Sequence, residues 1–519
     1  MRLISNFSSR LLSVSALALI STFGFAASAF AHTEFAFGAL SAETQEHVTI
    51  FMGEDEDLSG TSADVNEKTD GRLALALKDA EFEGKFGKKL HLYGLSPFAR
   101  ITVIGTGDEN LSTRDLRDLG GYVAQASDNE KDLSVMVDGL DTNVDTAAAQ
   151  IAMGYALSSY EFTKYKENAK EIDRTVAFHS DNMNASKSLY EGDLEHVVTG
   201  VNFARDMGTE PGKSIYPESF AQGVRELFSG VAGVKIDVLG VSDMRRNKMG
   251  ALMGVGQGSV HDPRLIVISY MGGTRGEDPV ALVGKGITFD TGGISIKPNT
   301  GQWAMKSDLS GAAAVAGTVY AVAKRSANAN LVGVMAMAEN MPAADAIRPG
   351  DVLETMSGKT IEVMSTDAEG RLVLSDAMTY VQKEYDPSLL IDIATLTGSV
   401  GRALGYEYAG VISHDWDLSM KMMEVGKRVG EDVWPLPLND AHFKAIKSDI
   451  ADLKSTAGRP GASIGGAVIG TFVDEDRPWI HLDIAGVDWL DKATPTSPKG
   501  HAGWGVRFMD GVVRDVEKK

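Results

Sequence analysis

Five short runs of aliphatic and β-branched residues recur through the C-terminal part of the chain: Val234–Leu239, Leu265–Tyr270, Val280–Gly284, Leu331–Met337 and Leu389–Ala394. Stretches rich in helix formers and free of internal proline, Gly311–Lys324 and Arg371–Tyr385, separate several of them. Such alternation restricts this part to an α/β sheet with helices on both faces. Ligands of such sheets bind beyond the carboxyl ends of the strands, so the residues that follow each strand carry the functional reading.

Upstream, His32 to about Leu189 mixes short apolar runs with polar connections, among them Lys89–Gly94 and Ala99–Gly105. It reads as a smaller α/β unit without a catalytic constellation. A helical stretch near Asp193–Met207 links it to the larger unit downstream. A chain of 519 residues divides naturally in two. The expected domains are 32–190 and 191–519, the larger built on a mixed central sheet flanked by helices.

Residues 1–31 stand apart. Arg2 and Arg10 precede an apolar run, Leu11–Ala27, and the segment ends in Ala29-Phe30-Ala31, the build of a cleaved signal peptide. Ser13, Ser15, Ser21, Thr22 and Gly24 interrupt the run, which is short for a bilayer crossing. The expectation is a signal peptide over 1–31 and an exported protein, periplasmic or secreted, without membrane contact after cleavage.

The formal net charge is −21, and there is no cysteine. An acidic surface repels phosphate backbones and anionic lipid, which argues against nucleic-acid and membrane-surface partners. Without cysteine there is no disulfide, no thiolate metal site and no cysteine nucleophile. Any metal is therefore held by oxygen and nitrogen donors.

Three segments concentrate acids and lysines where strands should end. The first, Val283–Pro298, carries Lys285, Asp290 and Lys297 among glycines that let the backbone crowd close; alone it also reads as a glycine-rich turn. The second, Met305-Lys306-Ser307-Asp308, opens the alanine-rich helix, where Asp308 alone reads as a complement to the positive helix terminus. The third, Ser365–Arg371, enters another helix, with Asp367 and Glu369 either exposed acids or a site. Ile361–Met364 before it reads as a strand, and Ala377, Met378 and Val381 after it as a buried helix face, so these acids sit at a rigid strand-to-helix corner.

Charge links the three. Asp290, Asp308, Asp367 and Glu369 cannot share a small volume without compensating cations, and two divalent ions balance them. Hard oxygen donors suit Zn, Mn or Mg, and paired metals about 3.5–4 Å apart can bridge a water and lower its pKa. Lys285 can itself ligate, because an adjacent divalent cation favours its neutral amine. Lys297, kept charged, can stabilise the oxyanion of a tetrahedral intermediate.

Competing signatures fail on the same letters. Gly461-Ala462-Ser463-Ile464-Gly465 has the spacing of a nucleophile elbow, but Gly458-Arg459-Pro460 before it is a loop where that motif needs a strand. Gly358-Lys359-Thr360 lacks the upstream glycine of a phosphate-binding loop, and Gly254-Val255-Gly256 is followed by Ser259 where a dinucleotide site needs glycine. No His-Glu-x-x-His occurs, and His261, His442 and His481 read as structural.

The three segments together resemble the leucyl aminopeptidase (cytosol aminopeptidase) family of two-metal exopeptidases. The resemblance runs from about Val201 to Val513 and includes Met249–Ser259, Arg348–Asp351, Ala394–Gly398 and His481–Gly486. It implies that Asp290 and Glu369 bridge both metals, that Lys285 and Asp308 complete one shell, and that Asp367 completes the other. It further implies that Lys297 polarises the scissile carbonyl and that Arg371 holds a bicarbonate acting as general base. Leu396 and Gly398 then line the substrate cleft with their backbone, and Met305 walls the side-chain pocket. Ser365, Thr291 and Leu309-Ser310 depart from the usual family letters without removing a ligand.

The expected function is release of N-terminal residues, leucine and other apolar ones, from peptides by a hydrolase with two Zn or Mn ions per chain, assembled as a homohexamer. The alternative is a catalytically silent or dual-role binding protein of the same fold.

Overall fold

The computed structural model describes residues 33–38, 46–54, 58, 60–107, 110–127, 130–167, 173–180 and 182–517. The leader expected over 1–31 lies outside them. No helix among the described residues is long and apolar enough to cross a membrane.

Two α/β units are each built on their own sheet. The first sheet comprises β1 (Thr33–Gly38), β2 (His47–Gly53), β3 (Lys89–Tyr93), β4 (Arg100–Gly107), β5 (Asp132–Met136) and β6 (Arg174–His179), in the order β1-β6-β5-β2-β4-β3. Neighbours are parallel except β3 with β4. Residues Arg100–Gly105 of β4 are buried without a break, as a parallel strand covered on both faces requires. Helix α1 (Thr113–Ala126) opens on a capping box between Ser112 and Asp115, and α2 (Ala147–Ser158) packs beside it. Helix α3 (Glu195–Thr209) leads into the second unit.

There the chain forms β7 (Val234–Leu239), β8 (Arg264–Met271), β9 (Val280–Asp290), helix α4 (Ser310–Lys324), β10 (Asn330–Asn340), β11 (Val352–Glu354) and β12 (Thr360–Glu362). It continues through α5 (Gly370–Tyr385), β13 (Leu389–Ala394), β14 (Ala409–Ile412), α6 (Trp416–Val429), β15 (Val433–Pro435), β16 (Leu453–Lys454), β17 (Trp479–Asp483) and α7 (Val506–Glu517). Eight of these strands make one mixed sheet, β15-β14-β17-β13-β9-β10-β8-β7, while β11, β12 and β16 form a small second one. The central four, β17, β13, β9 and β10, run parallel and end along one edge.

Strand β9 is longer than its apolar core suggests, continuing from Gly284 through Lys285 to Asp290. Glycine at 286 breaks the hydrophobic pattern because Met337 of β10 fills that space: a Cβ there would lie 2.2 Å from the Met337 sulfur. Small residues also fix α4. It is wedged between the sheet and α3, where a Cβ on Gly317 would stand 2.4 Å from the Gly200 carbonyl oxygen. The start of α4 is thereby held against β9 and β13, close to Lys285.

Candidate metal centre

The acids converge on the edge where the parallel strands end. Asp290 is the last residue of β9, Asp308 precedes α4 at the end of a short 3₁₀ turn, Gln302–Ser307, and Glu369 stands at the N-cap of α5. Capping does not account for them. Neither helix start has a side-chain cap hydrogen bond, and Asp308 instead accepts from Thr395 Oγ1 at 2.6 Å.

Carboxylate oxygens of Asp290, Asp367 and Glu369 lie within 4.8 Å of one another. Asp308 falls outside this trio and meets it through Lys285, whose Nζ stands 2.7 Å from Asp308 Oδ1 and 2.8 Å from Glu369 Oε1. The same ammonium donates to the Thr395 carbonyl at 2.9 Å. Lys297 Nζ bridges the other pair, 2.9 Å from Asp290 Oδ2 and 2.6 Å from Asp367 Oδ1. Each lysine thus ties two carboxylates. Lys285 is buried at 4% side-chain exposure and Lys297 is more open at 20%, so the second ammonium is the one that solvent reaches.

Local backbone makes this convergence possible. Gly292 and Gly293 adopt φ of 87° and 63°, the left-handed region, and fold the chain from Asp290 back so that the Lys297 N–H donates to the Thr291 carbonyl at 2.8 Å. A Cβ on Gly292 would lie 2.8 Å from Asp367 Oδ1. Gly370 works by close approach, since a Cβ there would stand 2.8 Å from Lys285 Cδ.

Burial and neighbouring charge set the protonation of the cluster. Burial, reinforced by Glu369, pushes the Asp290 carboxyl up to about 6 against the opposing pull of Lys297 and Lys285. Burial drives Asp308 well above its ordinary value, with Lys285 only partly offsetting it. Burial also pushes the Glu369 carboxyl up, but Lys285 and Lys297 outweigh it and hold that group below the usual glutamate value. For both lysines burial disfavours the ammonium, yet the surrounding carboxylates prevail and hold them above the ordinary lysine value. The four acids and two ammoniums leave an excess of negative charge. Asp308 Oδ2 and Glu369 Oε2 are buried without a hydrogen-bond partner. Orphaned carboxylate oxygens beside a clustered acid trio are the donor set a hard divalent cation requires, so these residues fit a metal.

Arg371, one residue into α5, is buried and donates from Nη1 to the Ser455 carbonyl at 3.2 Å, while its Nε has no partner. Leu396 and Gly398 follow β13, and Asp483 at the end of β17 fixes the turn by accepting the Leu396 and Thr397 N–H groups at 3.1 and 3.3 Å. A Cβ on Gly370 would also meet Leu396 Cδ1 at 3.0 Å, which places Leu396 beside Lys285. Met305 is half-buried in the turn that leads to Asp308.

Three supporting residues escaped the sequence reading. Asn340 ends β10 and donates from Nδ2 to Asp290 Oδ1 at 2.8 Å and to the Thr366 carbonyl at 3.0 Å, Thr395 contacts both Lys285 and Asp308, and Asp483 holds the Leu396 turn. Their one signal was position, each ending or directly following a parallel strand. His481 and His261 lie away from the acids, His481 Nδ1 2.5 Å from Asp392 and His261 stacked on Tyr216 at 4.0 Å. Ser463 is buried inside a helix, Gly461–Gly470, not on an elbow.

The model of the cytosol aminopeptidase family catalytic domain matches residues 202–509, and that of its N-terminal domain matches 48–169. The chain belongs to the cytosol aminopeptidase family. A probable cytosol aminopeptidase of Chelativorans sp. is 40% identical over 92% of this chain and 98% of its own length. One of Caulobacter vibrioides is 40% identical over 90% and 96%. Among solved structures, the bottromycin maturation enzyme BotP in complex with Mn superposes with a TM-score of 0.80 at 26% identity, covering 91% of this chain and 99% of that one. A tomato leucine aminopeptidase mutant gives 0.81 at 28% identity, covering 93% and 97%. Family membership makes the chain a metal-dependent aminopeptidase, a hydrolase of the metallo-exopeptidase type.

These relatives correct one expectation. Export to the periplasm or beyond is contradicted by the naming of these relatives as cytosol aminopeptidases. Arginines before an apolar run are a pattern of composition, and such a pattern does not by itself fix a compartment.

Proposed function

We propose that the protein removes apolar N-terminal residues, leucine among them, from peptides with a centre of two divalent ions per chain. The observation that carries this reading is the pair of orphaned buried oxygens, Asp308 Oδ2 and Glu369 Oε2, within a four-acid cluster that two lysines divide into pairs. Asp290 and Glu369 are assigned to both ions, Lys285 and Asp308 to one, and Asp367 to the other. Zn or Mn suits these donors, and the structure of BotP in complex with Mn supports the second. When bound, such ions would lower the pKa of a water towards neutrality, and a bicarbonate would supply a general base.

The chain's own groups do the rest. Lys297, held charged by the acids around it, donates from Nζ to the carbonyl oxygen as negative charge develops there. Arg371, whose Nε has no partner, would hold the bicarbonate. The Leu396–Gly398 turn, fixed by Asp483, orients the peptide backbone, and Met305 gives the side chain an apolar wall. The domain division 32–190 and 191–519 and assembly as a homohexamer belong to the same reading; light scattering of the purified protein tests the assembly.

The test is hydrolysis of paired aminoacyl and N-acetylaminoacyl substrates by the metal-reconstituted protein. Cleavage of the free-amine series with leucyl and other apolar members leading is expected. Equal cleavage of the acetylated series would sink the exopeptidase assignment, and a preference for charged residues would sink the apolar pocket.

A further inference from the structure

A cavity of about 510 Å³ lies between α1 and α2 of the first unit, α3, and α6 and α7 of the second, and shares no residue with the metal centre. Its walls are divided by chemistry. Met153, Leu194 and Val197 give it an apolar part, and four guanidinium groups line it together with the carboxylates of Asp193, Asp510 and Glu517.

Three of those groups are satisfied. Arg514 donates from Nη1 to Asp193 at 2.8 Å and from Nε to Asp510 at 2.7 Å. Arg507 pairs with Glu431 at 3.2 Å and donates to the Val429 and Gly430 carbonyls. Arg428 reaches Asp515 at 2.9 Å and the Gly511 carbonyl at 3.0 Å.

Arg117 differs. Its Nε donates to Gln150 Oε1 at 2.9 Å, but among the described residues no carboxylate pairs with it, and Nη1 and Nη2 have no acceptor. Asp510, which lines the same cavity, is already engaged by Arg325 at 3.2 Å and by Arg514. Burial, then Arg507 and Arg514, press the Arg117 guanidinium down to about 10, with Asp510 and Asp118 offsetting only part of this. A charged fork with two open donors facing a cavity suits an anion from outside the chain. The carboxylates of Asp193, Asp510 and Glu517 that share this lining are taken up by Arg514 and Arg325, which leaves Arg117 as the unmatched charge.

We propose that this cavity binds a small organic oxyanion, a carboxylate or phosphate ester with an apolar body, through Nη1 and Nη2 of Arg117. Two parallel N–H groups match the oxygens of either headgroup, the apolar side receives the body, and the volume falls within the usual range of small-molecule sites. Because both units contribute walls, an occupant ties them together and raises resistance to unfolding.

The test uses the full-length, metal-loaded protein with phenylacetate and phenyl phosphate, which share a ring and differ in headgroup, at ionic strength held constant with sodium chloride. Titration calorimetry should give a saturable isotherm for at least one probe, with a matching rise in Tm, and the tighter of the two identifies the headgroup. Arg117→Met should weaken that binding at least tenfold while leaving aminopeptidase activity intact, which shows that the variant folds. Thr113→Trp, on the half-buried first turn of α1, should block the cavity and give the same loss without touching Arg117. Absence of saturable binding by both probes, or binding unchanged in both variants, overturns the proposal.

Discussion

The Lys285 ammonium lies 2.8 Å from the Glu369 carboxylate, joining the middle of a long strand to the N-cap of a helix. The pair is almost wholly buried, and Lys285 also holds Asp308. Removing the lysine leaves two acids without their cation, a change that typically costs about 3–5 kcal/mol. Lys285→Ala is therefore expected to lower thermal stability and to reduce bound metal from about two ions per chain to about one. Metal analysis beside calorimetry checks both; full metal content in this variant would remove Lys285 from the ligand set.

Lys297 is assigned a different task and should behave differently. It is the more exposed of the two lysines, which suits an electrostatic partner of the reacting carbonyl. Lys297→Ala is expected to lower kcat by roughly two to three orders of magnitude with metal content retained. Loss of metal in this variant would make Lys297 a brace for Asp290 and Asp367.

Chelation should abolish activity while leaving the chain folded, because Lys285 and Lys297 continue to tie the four acids in pairs. Zn or Mn should restore turnover, with Asp290→Ala and Glu369→Ala resistant to restoration. Circular dichroism of the chelated protein together with reconstitution assays decides this, and full activity after exhaustive metal removal would contradict it.

Arg371→Met should lower turnover less than Lys297→Ala does, since a base added to the buffer can partly replace a positioned anion. Raising bicarbonate should recover part of the lost rate in this variant and little in the wild type. A rate that ignores bicarbonate in both would leave Arg371 a structural residue bound to the Ser455 carbonyl.

The sheet strands and the four acids were legible because they rest on local signals. Val234–Leu239 and Leu389–Ala394 form strands over the residues their apolar runs mark, and α4 and α5 each begin one residue before the start their composition suggests. Strand β9 was read short because Gly284 looks like a strand end, whereas its missing side chain makes room for the helix above, a Cβ there lying 2.6 Å from Ala312 Cα, and the strand runs on to Asp290. Asn340 and Thr395 were invisible for a related reason. Their roles arise from the parallel register that sets β10 and β13 beside β9, and no pattern within either strand records it. The N-terminal apolar run misled in the other direction, suggesting export where the relatives are named for the cytosol.

A last prediction concerns pH and His501. Its Nδ1 accepts the Gly503 N–H at 3.2 Å, so the ring proton sits on Nε2, which lies 2.8 Å from Ser310 Oγ. That arrangement admits only the neutral ring, and burial, followed by Arg205 and Lys306, presses its pKa down to about 3. Between pH 6.5 and pH 3 the unfolded chain gains a proton at this residue that the folded chain refuses, so stability falls as pH falls through that window. From pH 7 to pH 5 the loss from this group alone is about 2 kcal/mol. Asp488, which burial raises to about 6, acts with the opposite sign, but it is present in wild type and variant alike. Urea unfolding of wild type and His501→Gln at both pH values isolates the histidine. The wild type should lose more stability than the variant by roughly that amount, and equal losses would mean that the folded protein accepts the imidazolium.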